Sequence, residues 1–220
     1  MTPPSRRADF SSTVASIRQA SQGCRAGGRG SFAHFEAFVN HLFCLTIGHK
    51  TASIRLSRAK GGKKQHRVLS GGHDPGGELV VRLTNDHYLR FVVSLFLDSS
   101  GADAFLRTSL SLYQYQLDTA GDDWVFRYEY KREPEPGDAR PVGHLHVCGR
   151  LSNPGVLSRK RTLERVHFPC GRPTVESVIR LLIDDFGVPS DAPEGIWRPL
   201  LAETERDFLR VAHKAVPPSA

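Results

Sequence analysis

From about residue 50 onward the apolar residues of this chain recur at every second position instead of every third or fourth. That change of period constrains the fold more than any other feature. Residues 51–57, 78–84, 88–97, 106–118, 124–132, 143–150 and 163–168 all read as strands, rich in the Val, Ile, Phe, Tyr and Leu that suit a pleated surface. The connectors decide how they pair. Asn85 with Asp86, the stretch 99–103 and the stretch 119–123 are turn-rich and of hairpin length, too short for the helix that a parallel crossover requires. About six to seven strands in succession therefore predict an antiparallel sheet. Residues 60–77 read as a solvated loop, because no helix start follows the basic run 61–67 to supply amide donors for a phosphate.

Helical periodicity brackets the strands. Ser31 can cap a helix in which Phe32, Phe35, Phe38, Val39, Leu42 and Phe43 recur at spacings of three and four, with Cys44 as a small buried hydrophobe and His34 and His41 at its polar edge. Near the other end, Pro173 and Thr174 open a helix whose stripe is Val175, Val178, Ile179, Leu182 and Ile183, and Gly187 with Pro189 closes it. A second helix follows, with Pro199 in its first turn and Leu200, Leu201, Thr204, Phe208 and Val211 facing inward. The expected architecture is α+β: an antiparallel sheet with one N-terminal helix and two C-terminal helices packed against it. Residues 1–30, mixing Pro, Ser, Arg and Gly around a weak helical patch at 14–19, read as a flexible basic N-terminal arm. Residues 31–215 read as a single α+β domain, and 216–220 as a disordered tail.

Composition narrows the function class. A chain of 220 residues that is 39% hydrophobic can bury one sizeable core. No apolar run approaches the roughly 18 to 20 residues a membrane helix needs, and residues 1–12 lack the apolar segment of a signal peptide, so no membrane and a cytoplasmic location are expected. Four cysteines are too sparse for a secreted disulfide framework. The net charge of +7 makes RNA or another polyanion a more plausible partner than a basic one.

The chemistry concentrates late in the chain. On a strand, His144, His146 and Cys148 project from one face and Leu145 and Val147 from the other. About twenty residues on, His167 precedes Cys170, Gly171 and Arg172, and if the two segments pair, His167 can join His144 and His146. Three readings of that cluster stand side by side. A metal could be held, but no Cys-x-x-Cys or His-Glu-x-x-His spacing supports it, so no metal ligand and no cofactor are expected. A metal-independent ribonucleolytic site would use two of the histidines as base and acid, with Arg150 or Arg172 steadying charge on phosphate. Histidines bonded only to neighbours and water are the third reading. The aromatic residues of 113–130 are equally ambiguous: a face covered by helices, or a base-stacking platform in which Tyr128, Tyr130 and Lys131 bind substrate. The catalytic candidates are thus His144, His146 and His167, and the substrate-binding candidates Arg150, Arg172, Tyr128, Tyr130 and Lys131.

The order of Arg127, Tyr128, Glu129 and Tyr130 on an aromatic strand, a gap, His144-x-His146 and a short strand entering an amphipathic helix resembles the TumE-like toxins of bacterial toxin–antitoxin loci. The resemblance covers about residues 105–186. It implies a small α+β fold, a cognate antitoxin as partner and interference with RNA or translation, and transfers no catalytic residues. The chain departs from the pattern in its length, its N-terminal helix and strands, and its longer Pro-rich gap. A related bacterial protein carrying the same sheet without toxicity, or a non-catalytic protein-binding module, is the alternative.

Overall fold

A computed structural model of the chain describes residues 10–25, 30–50, 53–58, 66–71, 80–98, 104–133, 137, 140–149 and 165–212. Residues 1–9 of the expected arm, Arg150, residues 163 and 164 of the last expected strand and the tail 216–220 lie outside the described residues. Two helices, α1 (Ser11–Arg25) and α2 (Ser31–Leu45), precede eight strands, and two more, α3 (Val175–Asp184) and α4 (Glu194–Ala212), follow them. The strands are β1 (Ile54–Arg58), β2 (His66–Gly71), β3 (Val80–Arg82), β4 (Tyr88–Asp98), β5 (Phe105–Gln116), β6 (Trp124–Lys131), β7 (Gly143–Val147) and β8 (Phe168–Pro169). They form one antiparallel sheet in the order β1-β2-β4-β5-β6-β7-β8. β3 pairs with β4 at Tyr88 to Arg90, below the stretch of the same edge where β2 pairs.

The α+β class and the antiparallel sheet are as the alternating pattern requires, and four local expectations are corrected. Residues 11–25 are not an arm but helix α1, anchored by Ile17 and Ala20 in the core and by Arg18, which donates three hydrogen bonds to the Glu203 carboxylate on α4. Its polar composition hid a narrow apolar stripe that α2 covers, an example of packing overriding weak propensity. The loop expected over 60–77 contains β2, which satisfies its backbone groups between β1 and β4 in spite of its basic approach. Cys44 is exposed, on the outer side of α2, instead of buried. Pro199 falls inside α4 and not in its first turn, since that helix already begins at Glu194.

Alternation sorts the sheet into two faces. Along β4, Leu89, Phe91, Val93 and Leu95 are buried while the intervening residues are half-exposed. Their cross-strand neighbours Tyr113, Tyr115 and Phe126 continue the inner face, on which α2 lays Phe35, Phe38 and Phe43, α3 lays Val178, Ile179 and Leu182, and α4 lays Trp197, Leu200 and Leu201. Phe43 meets Phe91 edge-on at 5.6 Å between ring centroids. Burial of this aromatic and aliphatic surface, at about 25 cal/mol per Å², is the main favourable term holding the helices to the sheet. The opposite face carries Arg90, Gln114, Arg127 and His146 in one cross-strand row and Val92, Leu112, Glu129 and His144 in the next.

α3 begins where expected, at Thr174. The Thr174 hydroxyl accepts from the Ser177 amide at 2.9 Å, and the Ser177 hydroxyl accepts from the Thr174 amide at 2.9 Å, a reciprocal cap of two otherwise orphaned donors. Thr174→Ala is expected to lower stability by about 1 kcal/mol. In a chain of this size that appears as a fall in Tm of about 2–4 °C by calorimetry; an unchanged Tm would show that the cap carries no weight.

Candidate three-histidine site

β6, β7 and β8 build the site through register. β7 pairs with β6 so that His146 lies opposite Arg127 and His144 opposite Glu129, while Leu145 lies opposite Tyr128 on the inner face. β8 runs so close beside β7 that a Cβ on Gly143 would stand 2.6 Å from the Cys170 carbonyl oxygen. Only glycine leaves room there for the Cys170 amide to donate to the Gly143 carbonyl at 3.0 Å. That contact draws His167, just ahead of β8, over the outer face of β7.

The three imidazoles converge. Ring centroids are 5.0 Å apart for His144 and His146, 4.9 Å for His144 and His167, and 4.6 Å for His146 and His167, all near edge-to-face. One nitrogen from each ring lies within 4.8 Å of the others. His144 is 4% exposed and His146 5%, with His167 half-buried above them. Burial, reinforced by the positive charge that neighbouring His146, His144 and Arg140 would add, holds His167 below the usual histidine range and Glu129 offsets this in part. His167 is therefore a neutral ring, a lone-pair donor, at neutral pH.

His144 carries the clearest electrostatic information. Its Nδ1 is 2.8 Å from the Pro141 carbonyl oxygen, which can only accept, so Nδ1 holds the proton and Nε2 carries the lone pair of the neutral ring. Nε2 is buried and has no hydrogen-bond partner among the described residues. Glu129 Oε2 lies 3.5 Å from it, and the other oxygen of Glu129 is 2.8 Å from Arg127 Nε. In the neutral ring, an imidazole lone pair and a carboxylate oxygen therefore stand side by side.

The remaining candidates divide between the two faces. Arg172 does not join the histidines. Its guanidinium lies 5.5 Å over the Tyr130 ring and 4.6 Å over that of Phe208, on the helix-covered side, where burial lowers its affinity for its proton. Tyr128 and Tyr130 are both half-buried: Tyr128 packs against the core and lines, with Arg172, a cleft of about 450 Å³, whereas Tyr130 lines the cleft beside the histidines. Lys131 shares the histidine face through strand alternation and lines a cleft of about 210 Å³ beside the cluster, together with Glu129, Arg140, Pro141, Val142 and His144. Cys148 stands outside the group, since β7 ends at Val147 and the row does not continue.

Glu129, Arg140 and the Pro141 carbonyl went unrecognised in the sequence. Alternation alone places Glu129 on the face opposite Tyr128, but only the β6–β7 register sets it against His144. Fold and site together define an α+β protein with an imidazole trio on the outer face of an antiparallel sheet. Comparison with protein-family models, with curated proteins and with solved structures finds no match.

Proposed function

We propose that this chain is a metalloprotein, with His144, His146 and His167 binding one divalent transition-metal ion, zinc in the first instance. The observation that carries the reading is the convergence of three imidazoles with one nitrogen of each within 4.8 Å of the others, two of the rings buried, and the buried Nε2 of His144 without a hydrogen-bond partner among the described residues. Zinc–imidazole bonds of about 2.0–2.1 Å place the nitrogens of a tetrahedral site about 3.3 Å apart, so small side-chain rotations close the group around an ion. The bond from Nδ1 to the Pro141 carbonyl is the outer-shell contact that fixes the tautomer of a metal-bound histidine. Three protein ligands leave a fourth position for water or substrate, the arrangement of catalytic zinc, where the ion acts as a Lewis acid and lowers the pKa of bound water.

A metal-independent ribonuclease has less support. Rings only 4% and 5% exposed are poorly placed to exchange protons with a polymer, and the described guanidinium offered for phosphate, Arg172, lies on the other face. Among the described residues no helix is long and apolar enough to cross a membrane.

The test is elemental analysis of protein purified without chelator, followed by cobalt substitution. One zinc per chain, and intense visible d–d bands of tetrahedral cobalt, are expected. Protein that holds no metal and gives only the weak spectrum of aqueous cobalt would overturn the reading.

A further inference from the structure

Arg172 lies apart from the histidines, in surroundings that leave its charge unmatched. Its guanidinium contacts the rings of Tyr130 and Phe208 but has no carboxylate partner and no hydrogen bond among the described residues. The groups whose charge acts on it are Tyr130, Tyr113 and a second cation, Arg132, with no Asp or Glu among them. A half-buried cation without a counter-ion gives up hydration and gains no ion pair in return. The cleft of about 450 Å³ that Arg172 lines is walled by Tyr128 of β6, Val178 and Leu181 of α3 and Leu209 of α4. The acid on its lining, Glu205, is committed elsewhere: Oε1 accepts from the Thr174 hydroxyl at 2.7 Å and Oε2 from Arg180. Ser177, also on the lining, spends its hydroxyl proton on the Thr174 carbonyl. The bonds of Thr174 and Arg180 to Glu205 join α3 to α4 and so hold two walls of the cleft in place.

We infer that this cleft binds a small-molecule monocarboxylate with an apolar body, its oxygens on the Arg172 guanidinium and its body against Tyr128, Val178, Leu181 and Leu209. The site stands on the helix-covered side and does not depend on the metal reading. Contact with ring faces supplies no oxygen acceptor, so the forked N–H groups of Arg172 remain for a carboxylate, whose two oxygens match them. Charge selects a monoanion. With Glu205 already held by Arg180, and the hydroxyl protons of Thr174 and Ser177 already given, a phosphate dianion would bring a second charge that nothing on the lining answers. Size agrees, since about 450 Å³ falls within the range of roughly 300–1,000 Å³ found for small-molecule sites.

The experiment is equilibrium dialysis of the full chain against 4-phenylbutyrate, against 4-phenylbutanol, which keeps the body without the charge, against acetate, which keeps the charge without the body, and against inorganic phosphate. Saturable binding of one 4-phenylbutyrate per chain is expected, with the other three weaker by about tenfold or more, the loss of a charge-assisted contact or of the buried apolar body. Arg172→Gln is expected to weaken 4-phenylbutyrate by about tenfold or more, with folding checked by circular dichroism. Arg172→Lys keeps the positive charge but not the fork; it carries the test if the glutamine variant does not fold, and a loss of about threefold or more is expected of it. Absence of saturable binding, an alcohol or acetate bound as tightly as 4-phenylbutyrate, phosphate bound more tightly, or unchanged affinity in the folded Arg172 variants would each overturn the assignment.

Discussion

His146→Ala is expected to weaken zinc binding by more than about a hundredfold and to abolish the thermal stabilisation that zinc confers. Loss of an outer-shell partner alone costs about 10- to 100-fold in metal affinity, and His146 would be a direct ligand. In the unsubstituted protein, free zinc at a hundred times its Kd should add about 2.7 kcal/mol to stability. That corresponds to a rise in Tm of roughly 5–11 °C for a chain of this length, absent in the variant. Without metal the variant should still fold cooperatively, because the substitution leaves the backbone ladder between β6 and β7 intact. The control is His41→Ala, an exposed ring on α2 outside the group, which should leave zinc affinity and the thermal shift unchanged. Equal zinc stabilisation of the parent and the His146 variant, measured by calorimetry, would place the metal elsewhere or nowhere.

Glu176→Gln is expected to make the protein more stable in mildly alkaline solution. Glu176 lies in the first turn of α3 yet is only 2% exposed, and its Oε1 has no hydrogen-bond partner. Burial is the main cause that pushes its carboxyl up to about 7, aided by the charge of Glu205 and opposed by its own backbone amide, Thr204 and Arg180. Tyr113 and Arg172 face the same small cavity from β5 and from the entry to α3. The folded protein therefore binds a proton between the ordinary carboxyl pKa of 4.5 and about 7 that the unfolded chain has released. Stability from this group is complete below the lower value, declines as pH rises through that window, and is gone above the upper one. Relative to the Gln variant, the parent should lose about 3 kcal/mol between pH 4 and pH 8. Parallel stability curves for the two proteins across that range would show that Glu176 is solvated or paired after all.

Legibility followed the range of the interactions involved. The period-two alternation of β4, β5 and β6 and the cap at Thr174 are read from neighbouring residues, so both were visible in the chain. α1 was obscured because its stripe of Val14, Ile17 and Ala20 is too narrow to be recognised without the α2 surface that completes it. β2 was obscured because its backbone bonds, and not its side chains, define it. Arg172 was misassigned to the histidines: closeness in sequence to His167 says nothing about which side of a strand pair a residue takes once the chain turns into a helix.

What the chain's own order of residues determined was local: which segments alternate, where α3 starts, and that His144 and His146 must share a face, since strand geometry sends every second side chain the same way. Tertiary structure alone decided that His167 completes the group, that Glu129 stands 3.5 Å from the free nitrogen of His144, and that Arg172 lies on the far side of the sheet. The reason is that strand register and the close passage at Gly143 are set by packing between residues distant in sequence, and a shift of one residue would send the histidines to the opposite face.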